Sequence, residues 1–187
     1  MWVAFILAWL NSIFMATGDA RPLDLAELLL YNTGNAAPPA RLIYAATEST
    51  VWVSFFATSE QHLRVGDALL RVSQRTGYPY DGDIEVRIEP EGRAIFTVAI
   101  RIPAWARGEL TWSDRHRFEY PDVSAWTVIV NGETVRLGFD RGFAKVRREW
   151  RSGDVIHVYF PMPIHRVQPR DTSCNAVQRG PLISCSR

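Results

Sequence analysis

Apolar and polar positions alternate most regularly between Val72 and Trp105. Ile84, Val86 and Ile88 alternate with Glu85 and Arg87, and Phe96, Val98, Ile100 and Ile102 alternate with Ile95, Thr97, Ala99 and Arg101. A period of two predicts strands with one buried face and one wet face. Pro90-Glu91-Gly92 separates the two runs, so they are expected to pair as an antiparallel hairpin. Upstream, residues 51–57 (VWVSFFA) form an apolar run suited to the centre of a sheet. Short strands are expected at residues 63–67 and 68–73. Downstream, Asn131-Gly132 between alternating runs at 126–130 and 133–137 predicts a second hairpin. Residues 143–150 and 154–160 predict a third, around Arg151-Ser152-Gly153.

The first thirty residues have a different pattern. Residues 2–10 are almost wholly apolar, and Asn11 and Ser12 then interrupt the run. No Lys or Arg precedes it, as a secretory leader would require. Residues 2–16 fall short of the ~20 apolar residues that span a bilayer. The prediction is a buried helix ended by Thr17-Gly18-Asp19, and a second helix beginning near Pro22. This helical hairpin is apolar nearly all round and needs partners to cover it. Residues 41–46 are expected to finish a short helix, with 47–50 as the break.

Composition narrows the function classes. The chain has 187 residues, 47% hydrophobic and 22% charged, with a net charge of +1. Nothing in that balance argues for nucleic acid or an acidic membrane as a partner. The expected location is cytoplasmic. Cys174 and Cys185 could pair, but two cysteines make no disulfide framework, and they read as free or buried thiols. His62, His116, His157 and His165 lack metal-ligand spacing, and no phosphate-binding glycine loop occurs. Seven tryptophans suit either a sandwich core or sugar stacking.

Tyr78, Tyr80 and Trp105 are the candidates for stacking on a sugar ring. Yet Tyr78-Pro79-Tyr80-Asp81-Gly82 also reads as turn chemistry, with proline fixing one φ and Asp-Gly supplying a positive one. Trp105, just past a strand-ending proline, could equally cap the core.

Several words in the chain resemble one family. They are Ala16-Thr17-Gly18-Asp19-Ala20-Arg21, then Asp24-Leu25-Ala26-Glu27 leading to Leu30-Tyr31-Asn32, the turn Tyr78-Pro79-Tyr80-Asp81-Gly82, and Arg101-Ile102-Pro103-Ala104-Trp105. Val130-Asn131-Gly132-Glu133, Pro161-Met162-Pro163-Ile164 and Ala176-Val177-Gln178-Arg179-Gly180-Pro181 continue the likeness in order. This text is similar to the β-L-arabinofuranosidase-like enzymes of glycoside hydrolase family 127. The resemblance implies a mainly β fold, with antiparallel β-sandwiches preceded by a helical hairpin that is the remnant of an (α/α)6 barrel. It implies a barrel remnant at 1–47, a middle sandwich at 48–106 and a C-terminal sandwich at 107–187. It also places Tyr31 near a sugar pocket, although Tyr31 could simply pack at a helix end.

The family's nucleophile is the first cysteine of a Cys-Cys-Pro-Pro word, held as a thiolate beside zinc. Here the corresponding text is Ala36-Ala37-Pro38-Pro39, and no Glu-x-Cys occurs to supply further ligands. Alanine neither binds zinc nor attacks an anomeric carbon. The expectation is therefore a truncated family member without hydrolase activity of its own and without a cofactor. Two alternatives stand beside it. One is a non-catalytic carbohydrate-binding module. The other is a structural subunit that docks a protein partner, or a second copy, through the face between Met1 and Leu30.

Overall fold

A computed structural model describes residues 2–34, 37–110, 116–118, 125–169 and 176–185. Three helices come first: α1 (Trp2–Thr17), α2 (Arg21–Asn32) and α3 (Ala40–Ile43). Strands β1 (Tyr44–Ala46), β2 (Thr50–Val53), β3 (Ser59–Val65), β4 (Ala68–Thr76), β5 (Asp83–Pro90) and β6 (Ala94–Arg101) follow. A 3-10 helix (Ala104–Arg107) precedes β7 (His116–Phe118), β8 (Thr127–Val130), β9 (Glu133–Thr134) and β10 (Gly138–Asp140). The chain continues with β11 (Phe143–Trp150), β12 (Asp154–Tyr159), β13 (Ile164–Pro169), β14 (Ala176–Arg179) and β15 (Leu182–Cys185).

The strands form three sheets. A five-stranded sheet runs β1-β2-β6-β11-β10, a six-stranded sheet β3-β4-β5-β12-β8-β9, and a small one β15-β14-β13-β7. All pairings are antiparallel except β2 with β6. The first two sheets share one core, in which Val51, Val53, Phe96, Val98 and Ile100 meet Val72, Ile84, Val86, Ile88 and Ile156.

Two of the three expected hairpins are arches instead. β5 pairs with β4 and β12, whereas β6 lies in the other sheet between β2 and β11. Residues 151–153 likewise carry the chain from β11 to β12 across the sandwich. Alternation fixes which face of a strand is buried but not which strand lies beside it. The inward rows of β5 and β6 therefore face each other across the core. The Asn131-Gly132 hairpin does form, with Val130 opposite Glu133. Asn131 also ties the second arch: its Nδ2 donates to Asp154 Oδ1 at 2.8 Å, and Val155 N donates to Asn131 Oδ1 at 2.9 Å.

Three further expectations change. The boundary at 106/107 is crossed by both large sheets, because β11 completes the sheet of β6 and β12 that of β5. The strand expected at 51–57 stops at Val53, where Ser54 N turns to donate to Ile43 O at 2.8 Å. The helix expected to run to residue 46 ends at Ile43, since Tyr44 is extended (φ −128°, ψ 151°) and pairs with Val53.

The helical hairpin is a third layer, laid on the outer face of the five-stranded sheet. Phe14 packs against Trp52 and Phe143 with ring centroids 5.7 and 5.6 Å apart. Leu23, Ala26 and Leu30 of α2 are buried. Ala20 N donates to Arg141 O at 2.9 Å, and Gly142 keeps that approach possible: a Cβ there would lie 2.5 Å from Ala20 Cβ. Asn32, at the far end of α2, donates to Pro181 O at 2.9 Å and accepts from Ile183 N at 2.8 Å, anchoring the small sheet. This layer explains why Ala99 and Arg101, assigned by alternation to a wet face, are fully buried.

Candidate functional site at the helix–sandwich junction

Asp24 and Glu27 stand three residues apart on α2 and so share one face of the helix. That face also carries the apolar residues that seat α2, so both carboxylates enter the interior at 3% and 2% exposure. Arg101 meets them from the end of β6 with its side chain wholly buried. Its Nη1 donates to Asp24 Oδ1 at 2.9 Å, its Nη2 to Glu27 Oε1, and its Nε to Ser54 O at 2.5 Å. The guanidinium also lies over Phe55 and Phe56, 5.1 and 5.7 Å from the ring centroids.

The other hydrogen-bond partners of the two carboxylates among the described residues are also donors. Asp24 accepts from Ala104 N at 3.2 Å and from Arg107 Nη2 at 3.2 Å. Glu27 accepts from the Tyr78 hydroxyl at 2.7 Å and from Trp105 Nε1 at 3.3 Å. Arg107 is held in turn by Glu109, at 2.7 Å, and by the Ile102 carbonyl. The cavity beside this network, bordered by Leu28, Trp105, Gln178 and Pro181, measures about 10 Å³. That is room for no more than a water molecule.

The electrostatics follow from burial. Burial pushes the Tyr78 hydroxyl well above the usual tyrosine range, and the neighbouring Glu27 adds to the effect. Burial and Glu27 raise Tyr31 in the same way, and burial raises Tyr44. Burial works against the Arg101 charge, but Glu27 and Asp24 more than offset it and hold the guanidinium charged. Because the three tyrosines keep their protons longer when folded than when unfolded, their contribution is intact below about pH 10 and is lost as pH rises past it. Denaturant midpoints measured from pH 8 upward are expected to fall beyond about pH 10. Tyrosinate absorbance from Tyr31, Tyr44 and Tyr78 should then appear only together with unfolding.

Three of the four expected sugar-contact residues gather at this junction. Tyr78 is buried, and Tyr31 meets it edge-on at 5.8 Å while its hydroxyl donates to Phe56 O at 3.4 Å. Trp105 is half-buried and edge-on to Phe160 at 5.8 Å. Tyr80 points away and is 70% exposed. Gly82 does not have the positive φ that its Asp-Gly context suggested. It is glycine because the β12 end lies against it: a Cβ would sit 1.9 Å from Phe160 O. Ala37 is an exposed bend residue, while Ala36 and Cys174 lie outside the described residues.

Asp24, Glu27 and Arg101 stood in the family words without a role of their own, and Arg107 was not singled out by the sequence reading. The available signal was two acids spaced i, i+3 on the leucine-rich face of α2, which require a buried cation. The arrangement braces α2 against β6. Acid/base cleavage of a glycoside needs two carboxyl groups flanking a sugar, one of them free to give a proton. Here both are bridged by the same guanidinium. Zinc does not fit either, because Asp24 and Glu27 already face two arginines. Among the described residues no three His, Cys, Asp or Glu side chains cluster to hold a metal.

Solved glycoside hydrolases contain the same helical hairpin and sandwich. Three of the solved structures that share the fold are the following. A GH127 β-arabinofuranosidase matches with a TM-score of 0.85 and 26% identity, over 97% of this chain and 36% of its own. A GH127 β-L-arabinofuranosidase from Geobacillus stearothermophilus T6 matches at 0.78 and 21%, over 95% and 34%. A structure described as a glycoside hydrolase matches at 0.75 and 18%, over 97% and 36%. The family model described as "Beta-L-arabinofuranosidase, GH127 middle domain" matches residues 50–162. No curated protein sequence matches the chain. The chain belongs to the GH127 family, and it spans about a third of the length of the enzymes it matches.

Proposed function

We propose that this chain is the sandwich-bearing part of a β-L-arabinofuranosidase-like glycoside hydrolase and that its own role is not catalytic. It seats two helices of the catalytic domain on the sandwich and fixes them there. The observation that carries this reading is the buried Asp24–Arg101–Glu27 bridge, which joins α2 to β6. Ala36-Ala37 in place of the family's Cys-Cys supports the same conclusion. Among the described residues no cluster of side chains would hold zinc.

The outer side of α1 fits that role. Trp2, Phe5, Trp9 and Met15 are each more than half exposed, and α1 carries no charged residue. Further helices, or a partner chain, would cover that side. A seat of this kind predicts that the helices and the sandwich unfold together. Hydrogen exchange at the α2 amides is expected to be as slow as at β6. Exchange of α2 well before β6 would mean the helices are loosely held and would remove the role. The alternative of a carbohydrate-binding module is favoured by one specific feature, the outer face of the six-stranded sheet.

A further inference from the structure

The helical layer covers only one of the two large sheets, and the outer face of the other is built in rows. Ile129, His157, Glu85 and Arg75 stand side by side on β8, β12, β5 and β4, each directly opposite the next. Thr127, Tyr159 and Asp83 form the neighbouring row. Alternation sends all seven side chains outward, because Val128, Val158, Ile84 and Gln74 between them are buried. Two grooves cross this face, of about 400 and 460 Å³, and they share Arg75 and Glu85. Together they run from β8 to β3. That is five strands, or roughly 19 Å at the usual strand spacing.

We propose that this groove binds a neutral oligosaccharide laid across the strands. The reading rests on the family's sugar chemistry but uses none of the residues at the junction. Tyr159, 45% exposed, offers a rigid aromatic surface of the kind that sugar C–H groups pack on. Around it stand both classes of hydrogen-bonding partner that a polyol needs. Asp83 and Glu85 accept; Arg75, His157 and Thr127 donate. Among the described residues Arg75 has no ion-pair partner, and Glu85 pairs only with Arg87, at 2.8 Å and half exposed. Acids and bases alternate along the row, so the groove has no dominant charge and suits an uncharged chain better than a phosphate or a polyanion.

The test is calorimetric titration of the whole chain with a soluble arabinan oligosaccharide, with xylan and cellulose oligosaccharides alongside. Binding to at least one is expected. Tyr159→Ala and Arg75→Ala should each weaken it by about tenfold, while Tyr80→Ala, outside the groove, leaves it unchanged. Circular dichroism of each variant establishes that it is folded. No binding to any of the three glycans, or binding unaltered by Tyr159→Ala and Arg75→Ala, overturns the proposal. Loss of binding in Tyr80→Ala alone also overturns it. None of these outcomes bears on whether the chain cleaves sugars, which a turnover assay reads separately.

Discussion

Arg101→Met is expected to destabilise the chain by about 3–5 kcal/mol, the usual cost of removing one partner from a buried ion pair. Methionine fills much of the space but leaves Asp24 and Glu27 buried without their shared cation. It also removes the bond to Ser54 O that holds the chain where β2 ends. Arg107 remains near Asp24, at 11% exposure, and compensates only one of the two acids. Replacing all three charged residues together, with Asp24→Leu and Glu27→Met added, should recover most of the loss, since an apolar substitute for a buried ion network is often neutral or better. Chemical denaturation of the single and triple variants measures both effects. A single-variant loss under about 1 kcal/mol would place the pair in the range of surface bridges, and the junction would not be a clamp.

Gly82→Ala is the second large effect, an expected loss of about 3 kcal/mol, the upper end of the range for overpacking. The obstacle is backbone, with Phe160 O at 1.9 Å and its carbonyl carbon at 2.8 Å from the added carbon. Neither side can retreat without breaking the bond from Phe160 N to Gly82 O, 3.0 Å long. Gly92→Ala is the informative control. Gly92 has φ +92° and open space around it, so only backbone strain of about 1–2 kcal/mol applies. Thermal unfolding of the two variants separates steric overlap from strain. Equal losses would mean that Gly82 is not held by Phe160.

The mainly β class, the two helices and the inward rows of β5 and β6 were legible in the sequence, because helix punctuation and period-two alternation are local signals. Strand neighbours were not. The Pro90-Glu91-Gly92 and Arg151-Ser152-Gly153 turns look the same in sequence whether the chain folds back beside itself or arches over the core. The burial of Arg101 depended on a layer contributed some seventy residues earlier, from α2, and no local pattern reports that. The same distance hid the junction. Tyr31, Tyr78 and Trp105 read as exposed sugar platforms or as packing, and the deciding partner for Tyr78 and Trp105 was Glu27, an acid that alternation and composition leave unremarked. The family words were specific enough to give the family, but they carried no information about which of their side chains are occupied by one another.

The most direct test of the central claim is release of aglycone from an aryl β-L-arabinofuranoside by the purified chain, with and without added zinc. The account predicts no release above buffer in either case, because the acids at the junction are bridged by Arg101 and alanines stand at positions 36 and 37. Saturable release that scales with protein concentration and disappears in Glu27→Gln would contradict it.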